Sequence, residues 1–152
     1  MPDIFISYRH DDDHAAARLA KRLQDVFPIF FDTDLKPGEK INEEAEEALR
    51  EVRIVLAILG KGWFSERNLT RMREPTDWIH WELLRALKRP EVKLIPVFVD
   101  EGISMPTKGQ LPEPLHDFLM CKAVALHHET WDEDVSDFMD SLLLQMRMRP
   151  AA

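Results

Sequence analysis

Residues 4–13 read IFISYRHDDD. The run IFISY is apolar, β-branched and aromatic, the composition of a buried strand. It passes into Asp11, Asp12 and Asp13, acids that suit the positive end of a helix. No glycine separates strand from helix. A Walker loop or a dinucleotide fingerprint needs glycines at that point, so this opening is neither.

Working outward, apolar runs and helical patterns alternate. Ala15, Ala16, Leu19, Leu23 and Val26 recur at helical spacing until Pro28. Residues 29–31 form a second short strand ending at Asp32, followed by a turn with Pro37 and Gly38. Asn42 can cap a helix over EEAEEALREV, and residues 53–59 make a third strand closed by Gly60. KGWFSERNLTRMREP reads as a polar loop. Thr76 or Asp77 can cap the helix that contains DWIHWEL, whose core stripe is Ile79, Leu83, Ala86 and Leu87. Residues 92–99 form a fourth strand, in which Pro96 suggests an edge or a frayed end. Residues 101–114 should be loop, residues 115–120 a short helix, and residues 123–126 a short fifth strand. Residues 132–147 form an amphipathic helix that buries Val135, Phe138, Met139, Leu142, Leu143 and Met146.

This alternation is the signature of an α/β domain with a parallel sheet and helices on both faces. Right-handed crossovers leave the flavodoxin-like, five-stranded order 2-1-3-4-5 as the expected topology, built as one domain over residues 1–152. Ile6, Val55, Leu56, Ile58, Leu83, Leu87, Ile95, Val97 and Leu142 should form its core. Ligands of such sheets bind beyond the carboxyl ends of the strands.

Composition narrows the function. The chain has 152 residues and a formal net charge of −8, so it has no general attraction to nucleic acid. Cys121 is the one cysteine, which rules out an internal disulfide. The apolar runs are too short to span a bilayer. The opening residues lack the pattern of a secretory signal, and a cytoplasmic location is expected. A phosphate-accepting receiver domain needs an aspartate at the end of the third strand, where Leu59 and Gly60 stand. No serine sits in a nucleophile elbow. His127, His128 and Glu129 resemble a metal cluster, but strand neighbours point apart, and no metal or other cofactor is expected.

DWIHWEL, residues 77–83, sets a different question. Trp78 and Glu82 are four apart and share a helix face. By spacing alone this is a packed aromatic edge of an amphipathic helix.

Several motifs together resemble TIR (Toll/interleukin-1 receptor homology) domains. Phe5-Ile6-Ser7-Tyr8-Arg9 is similar to their opening strand. Phe31-Asp32 followed by Lys36-Pro37-Gly38-Glu39-Lys40-Ile41 resembles their second strand and the loop after it, usually called the BB loop. Residues 55–59 and Leu94-Ile95-Pro96-Val97 resemble their third and fourth strands. Trp78-Ile79-His80-Trp81-Glu82 is similar to the tryptophan-xxx-glutamate motif of the members that cleave NAD⁺. The resemblance is to the bacterial type, on the FISYRHDDD opening.

This resemblance implies an NAD⁺ nucleosidase that takes NAD⁺ as substrate and releases nicotinamide with ADP-ribose or a cyclic form of it. Glu82 would be the catalytic residue and Trp78 a wall of its pocket. Arg9 and His10 stand where a diphosphate or ribose would approach, unless they are a surface pair that caps the loop. Asp32 braces its loop or touches ligand, and Lys36 and Lys40 supply positive charge or are simply solvated. Asp34, Leu35, Pro37, Gly38 and Ile41 would form a self-association surface. Such domains resemble effectors of anti-phage or cell-death signalling, driven to assemble by a sensor domain or partner outside this chain. The alternative is a scaffold without catalysis that acts through TIR–TIR contact. Two departures from the family pattern stand out: a long loop carrying Arg67, Arg71 and Arg73, and Asp77 and His80 where many relatives have serine and cysteine.

Overall fold

A computed structural model describes residues 2–31 and 41–147, with the side chains of Ile41 and Asn42 outside that description. The strands are β1 (Ile4–Ser7), β2 (Ile29–Phe30), β3 (Ile54–Leu59), β4 (Lys93–Phe98) and β5 (Val124–Ala125). The helices are α1 (Asp13–Leu23), α2 (Ile41–Glu51), α3 (Glu66–Met72), α4 (Trp78–Leu87) and α5 (Trp131–Arg147). Short 3₁₀ turns occupy His10–Asp12, Lys108–Gln110 and Glu113–Met120. The five strands are parallel in the order β2-β1-β3-β4-β5, as the alternation of strands and helices implies.

The strands are apolar throughout because both faces are covered. Along β3, Ile54, Leu56 and Ile58 pack with α1 and α5, while Val55, Ala57 and Leu59 pack with α2, α3 and α4. A strand turns successive side chains to opposite faces, so an unbroken apolar run is what a two-sided sheet requires. Of the expected core, Ile6, Val55, Leu56, Ile58, Leu83, Ile95, Val97 and Leu142 are buried, and Leu87 is half-buried at the edge of α4. Val26 lies past the end of α1 and is exposed. Burying Ile79 and Leu83, each contributing about 1.5–3 kcal/mol, fixes α4 against the sheet. Among the described residues, no helix is long and apolar enough to cross a membrane.

Three readings change. KGWFSERNLTRMREP is not a loop throughout. Ser65 caps α3 by accepting from the Asn68 N–H at 3.2 Å, and Met72 and Trp63 are buried. Asn42 lies inside α2 rather than before it. Pro96 sits in a strand with neighbours on both sides. Odd-numbered β4 residues donate to β3, as Lys93 does to Arg53 and Val99 to Leu59. Position 96 therefore faces β5, which pairs only from Val97 onward. The missing N–H falls where no partner strand exists.

The acids after β1 do more than start a helix. Asp12 accepts from the backbone N–H groups of Gly62 and Trp63, both at 2.9 Å, and so ties the β1–α1 turn to the segment after β3. Burial pushes the Asp12 carboxyl above its usual range and Asp100 pushes it further, against the lowering by those N–H bonds. A Cβ at Gly60 would lie 2.4 Å from Asp12 Oδ1, and one at Gly62 2.4 Å from Asp11 Cβ, so both glycines permit the close approach. We expect Asp12→Ala to cost about 2 kcal/mol, because it orphans buried N–H groups. Asp12→Asn should cost less than half as much, since one amide oxygen still accepts and no charge is desolvated. Urea unfolding of both variants checks the order, and equal losses would refute it.

Candidate active site

The carboxyl ends of β1 and β3 and the start of α4 meet around one buried ion pair. Arg9 donates through Nη1 to Asp77 Oδ1 at 2.7 Å and through Nη2 to Asp77 Oδ2 at 2.8 Å. The same Nη2 reaches the Asn68 carbonyl at 3.2 Å. The Arg9 and Asp77 side chains are 4% and 2% exposed. Asp77 is also the N-cap of α4, accepting from the His80 N–H at 3.1 Å. A carboxylate there balances both the guanidinium and the positive end of the helix. His80 anchors the next turn, its Nδ1–H donating to the Met72 carbonyl at 2.6 Å. That carbonyl can only accept, which fixes the tautomer.

Asn68 joins the parts. Its side-chain amide donates to Asp11 Oδ2 at 2.9 Å and to the Gly62 carbonyl at 2.6 Å, and its Oδ1 accepts from Arg71 at 3.3 Å. The whole cluster holds the start of α4, and with it Trp78, at the mouth of the sheet.

A cavity of about 310 Å³ opens here, lined by Tyr8, Arg9, His10, Arg71, Trp78 and Ile79. Tyr8 stacks on Phe31 at 4.8 Å, and Trp78 stacks on Trp81 at 4.9 Å. Trp81 in turn lies under the Arg85 guanidinium, 5.2 Å from its centre. Glu82 follows Trp78 by one turn and is 1% exposed. A larger groove of about 690 Å³ runs between the start of β4, β5 and α5. It lies away from the carboxyl ends of the strands, where sheets of this kind bind ligands, so the smaller cavity is the candidate site.

The residues singled out from the sequence divide as follows. Trp78, Arg9 and His10 share the cavity, and Glu82 is buried on the same helix. Arg9 is not part of a surface pair, because burial and Asp77 claim it. His10 is exposed, with Nδ1 3.8 Å from Asp13. Asp32, Lys36 and Lys40 lie outside the described residues, as do Asp34, Leu35, Pro37 and Gly38 and the side chain of Ile41. His127 and His128 turn to different acids, Asp134 at 2.9 Å and Asp100 at 3.2 Å. The hydrogen bond to Asp134 raises the His127 pKa. Sequence reasoning missed Asn68 and the role of Arg71, which lay in what it took for loop. It named Asp77 as a cap and as a departure from the family pattern, but not as a partner of Arg9, which nothing local reveals.

Sequence profile and solved structures agree with this architecture. The family described as TIR domain matches residues 4–140. A metazoan TIR-STING receptor from C. gigas, solved with 2′,3′-cGAMP, is similar at a TM-score of 0.58 and 21% identity. That match covers 90% of this chain and 39% of the receptor, so the chain spans well under half of that protein. The TIR domain of the Toll-related receptor TRR-2 from Hydra magnipapillata matches at a TM-score of 0.56 and 17% identity, over 95% of this chain and 97% of that one. The TIR domains of the activated Roq1 resistosome, which recognises the effector XopQ, match at 0.56 and 19%, over 95% and 99%. At such identities the likeness speaks for the fold. With the family match running from the first strand into the last helix, on a sheet of this order, the chain belongs to the TIR domain family.

Proposed function

We propose that this TIR domain cleaves NAD⁺ at the bond between nicotinamide and ribose. The observation that supports the reading is the placement of Trp78 on a cavity lined by Arg9, His10 and Arg71, one helical turn before the buried carboxylate of Glu82. Cleavage breaks the C1′–N bond, its electron pair leaves with neutral nicotinamide, and positive charge develops on the ribose. A fixed carboxylate stabilises that charge most where water is excluded. Glycosidases need a second carboxylic acid to protonate the leaving group. Nicotinamide leaves without one, so a single glutamate suffices. Water then adds at C1′ and releases a proton to give ADP-ribose; attack by the adenine ring instead gives a cyclic product. Incubation of the concentrated protein with NAD⁺, followed by chromatography of the products, tests the reading. Absence of free nicotinamide would refute it.

The burial of Glu82 favours a second element of the proposal. At 1% exposure its carboxylate does not meet a substrate from outside without rearrangement. Assembly is a means of driving that change, and the Roq1 TIR domains were captured in an assembled resistosome. The isolated domain is then a weakly active resting form that awaits a sensor or partner, in the manner of anti-phage or cell-death effectors. The net charge of −8 opposes premature association at low salt. We expect specific activity to rise as the protein is concentrated, and Gly38→Pro to blunt the rise. Specific activity independent of concentration in both proteins would mean that the monomer is already competent. Assembly without turnover would favour the scaffold.

A further inference from the structure

Arg71 sits on the last turn of α3 and lines the cavity together with Tyr8, Arg9 and Trp78. Its side chain is 51% exposed. Among the described residues its polar contacts are Nη1 to Asn68 Oδ1 at 3.3 Å and Nε to Asp77 Oδ1 at 3.8 Å. A guanidinium carries five N–H donors, so most of its capacity is unused.

The charge balance makes this matter. Asp77 is bound bidentately by Arg9, so of the two guanidiniums on the cavity wall Arg71 is the one without a bidentate carboxylate partner among the described residues. Arg9 has both Nη atoms engaged internally, whereas Arg71 faces solvent. Its neighbours differ: Arg73 donates to the Gly109 carbonyl, and Arg67 is exposed and does not line the cavity. Trp78 and Tyr8 add aromatic surface to the same wall, and Trp78 Nε1 is buried with no hydrogen-bond partner among the described residues. A planar fork of donors beside aromatic rings matches a diphosphate attached to nucleoside rings.

We infer that Arg71 holds the diphosphate of the dinucleotide and makes this site prefer it to a nicotinamide nucleoside without phosphate. The substrate class rests on the NAD⁺ reading above; the binding of a diphosphate by Arg71 does not depend on turnover.

Calorimetric titration with ADP-ribose therefore comes first, on the wild type, on Arg71→Ala and on Arg67→Ala, which removes the same charge outside the cavity. We expect Arg71→Ala to weaken binding at least tenfold, about 1.4 kcal/mol, and Arg67→Ala to leave it nearly unchanged. Inorganic pyrophosphate should compete with ADP-ribose on the wild type and not on Arg71→Ala. In turnover, Arg71→Ala should raise KM for NAD⁺ about tenfold with kcat held, and leave cleavage of nicotinamide riboside unaltered. Equal ADP-ribose affinity in the wild type and Arg71→Ala overturns the inference, as does equal damage by Arg67→Ala or absence of binding to the wild type. Binding that depends on Arg71 in a protein that releases no nicotinamide would overturn the catalytic reading and leave this one standing.

Discussion

Glu82→Gln should remove NAD⁺ cleavage, with kcat falling on the order of 10²-fold or more, while ADP-ribose still binds. The substitution exchanges one carboxylate oxygen for an amide nitrogen and keeps the shape of the side chain. Glu82 is 1% exposed on a helix fixed by Ile79 and Leu83, so volume matters there, and Glu82→Ala would confound lost chemistry with a cavity. Glutamine supplies a dipole in place of a full charge, and the energy of a developing positive ribose in a dry site depends strongly on that difference. The loss should therefore fall in kcat, with KM little changed, the mark of an interaction made only in the transition state. Near-normal melting and near-normal ADP-ribose binding would show that the variant folds and the cavity survives. Wild-type turnover in a folded variant would remove Glu82 from the chemistry.

The fold was legible because a two-sided parallel sheet imposes an unmistakable pattern. IFIS and IVLAIL are buried at every position, and only strands covered on both faces need that. The α3 segment was not legible for the opposite reason. ERNLTRM offers Leu69 and Met72 as its apolar side chains, too few for a periodic stripe. Its stability comes from tertiary contacts: the Ser65 cap, the two bonds of the Asn68 amide and the full burial of Met72. The site divides along the same line. Trp78 and Glu82 could be paired by helix periodicity. Arg9 and Asp77 stand 68 positions apart, and neither residue type announces a buried partner. Arginine is normally a surface residue, which is why the sequence made Arg9 either a ligand contact or a loop cap. Its burial at the carboxyl end of β1 is a property of the assembled sheet.

That buried pair supplies the second large effect. We expect Arg9→Met to cost about 3–5 kcal/mol, because methionine fills much of the space but leaves the Asp77 carboxylate buried without its bidentate partner. The residual bond from the His80 N–H, the start of α4 and the Arg71 Nε, 3.8 Å from Asp77 Oδ1, offset a fraction of that loss. The cost should be specific to the unpaired charge. In Arg9→Met with Asp77→Ser neither charge of the pair remains, and serine retains the N-cap, which Ser and Asp serve about equally well. The double variant should recover more than half of the loss seen in the single one, a coupling that a double-mutant cycle on urea midpoints reads directly. Recovery of stability need not restore the site. Arg9 also grips the Asn68 carbonyl, and the position of Trp78 on the cavity follows from what holds Asp77 and α3 together. The double variant should thus fold well yet bind ADP-ribose more weakly than the wild type. Strict additivity of the two substitutions, or a loss under about 1 kcal/mol for Arg9→Met, would mean that the pair is an incidental contact rather than the device that positions α4.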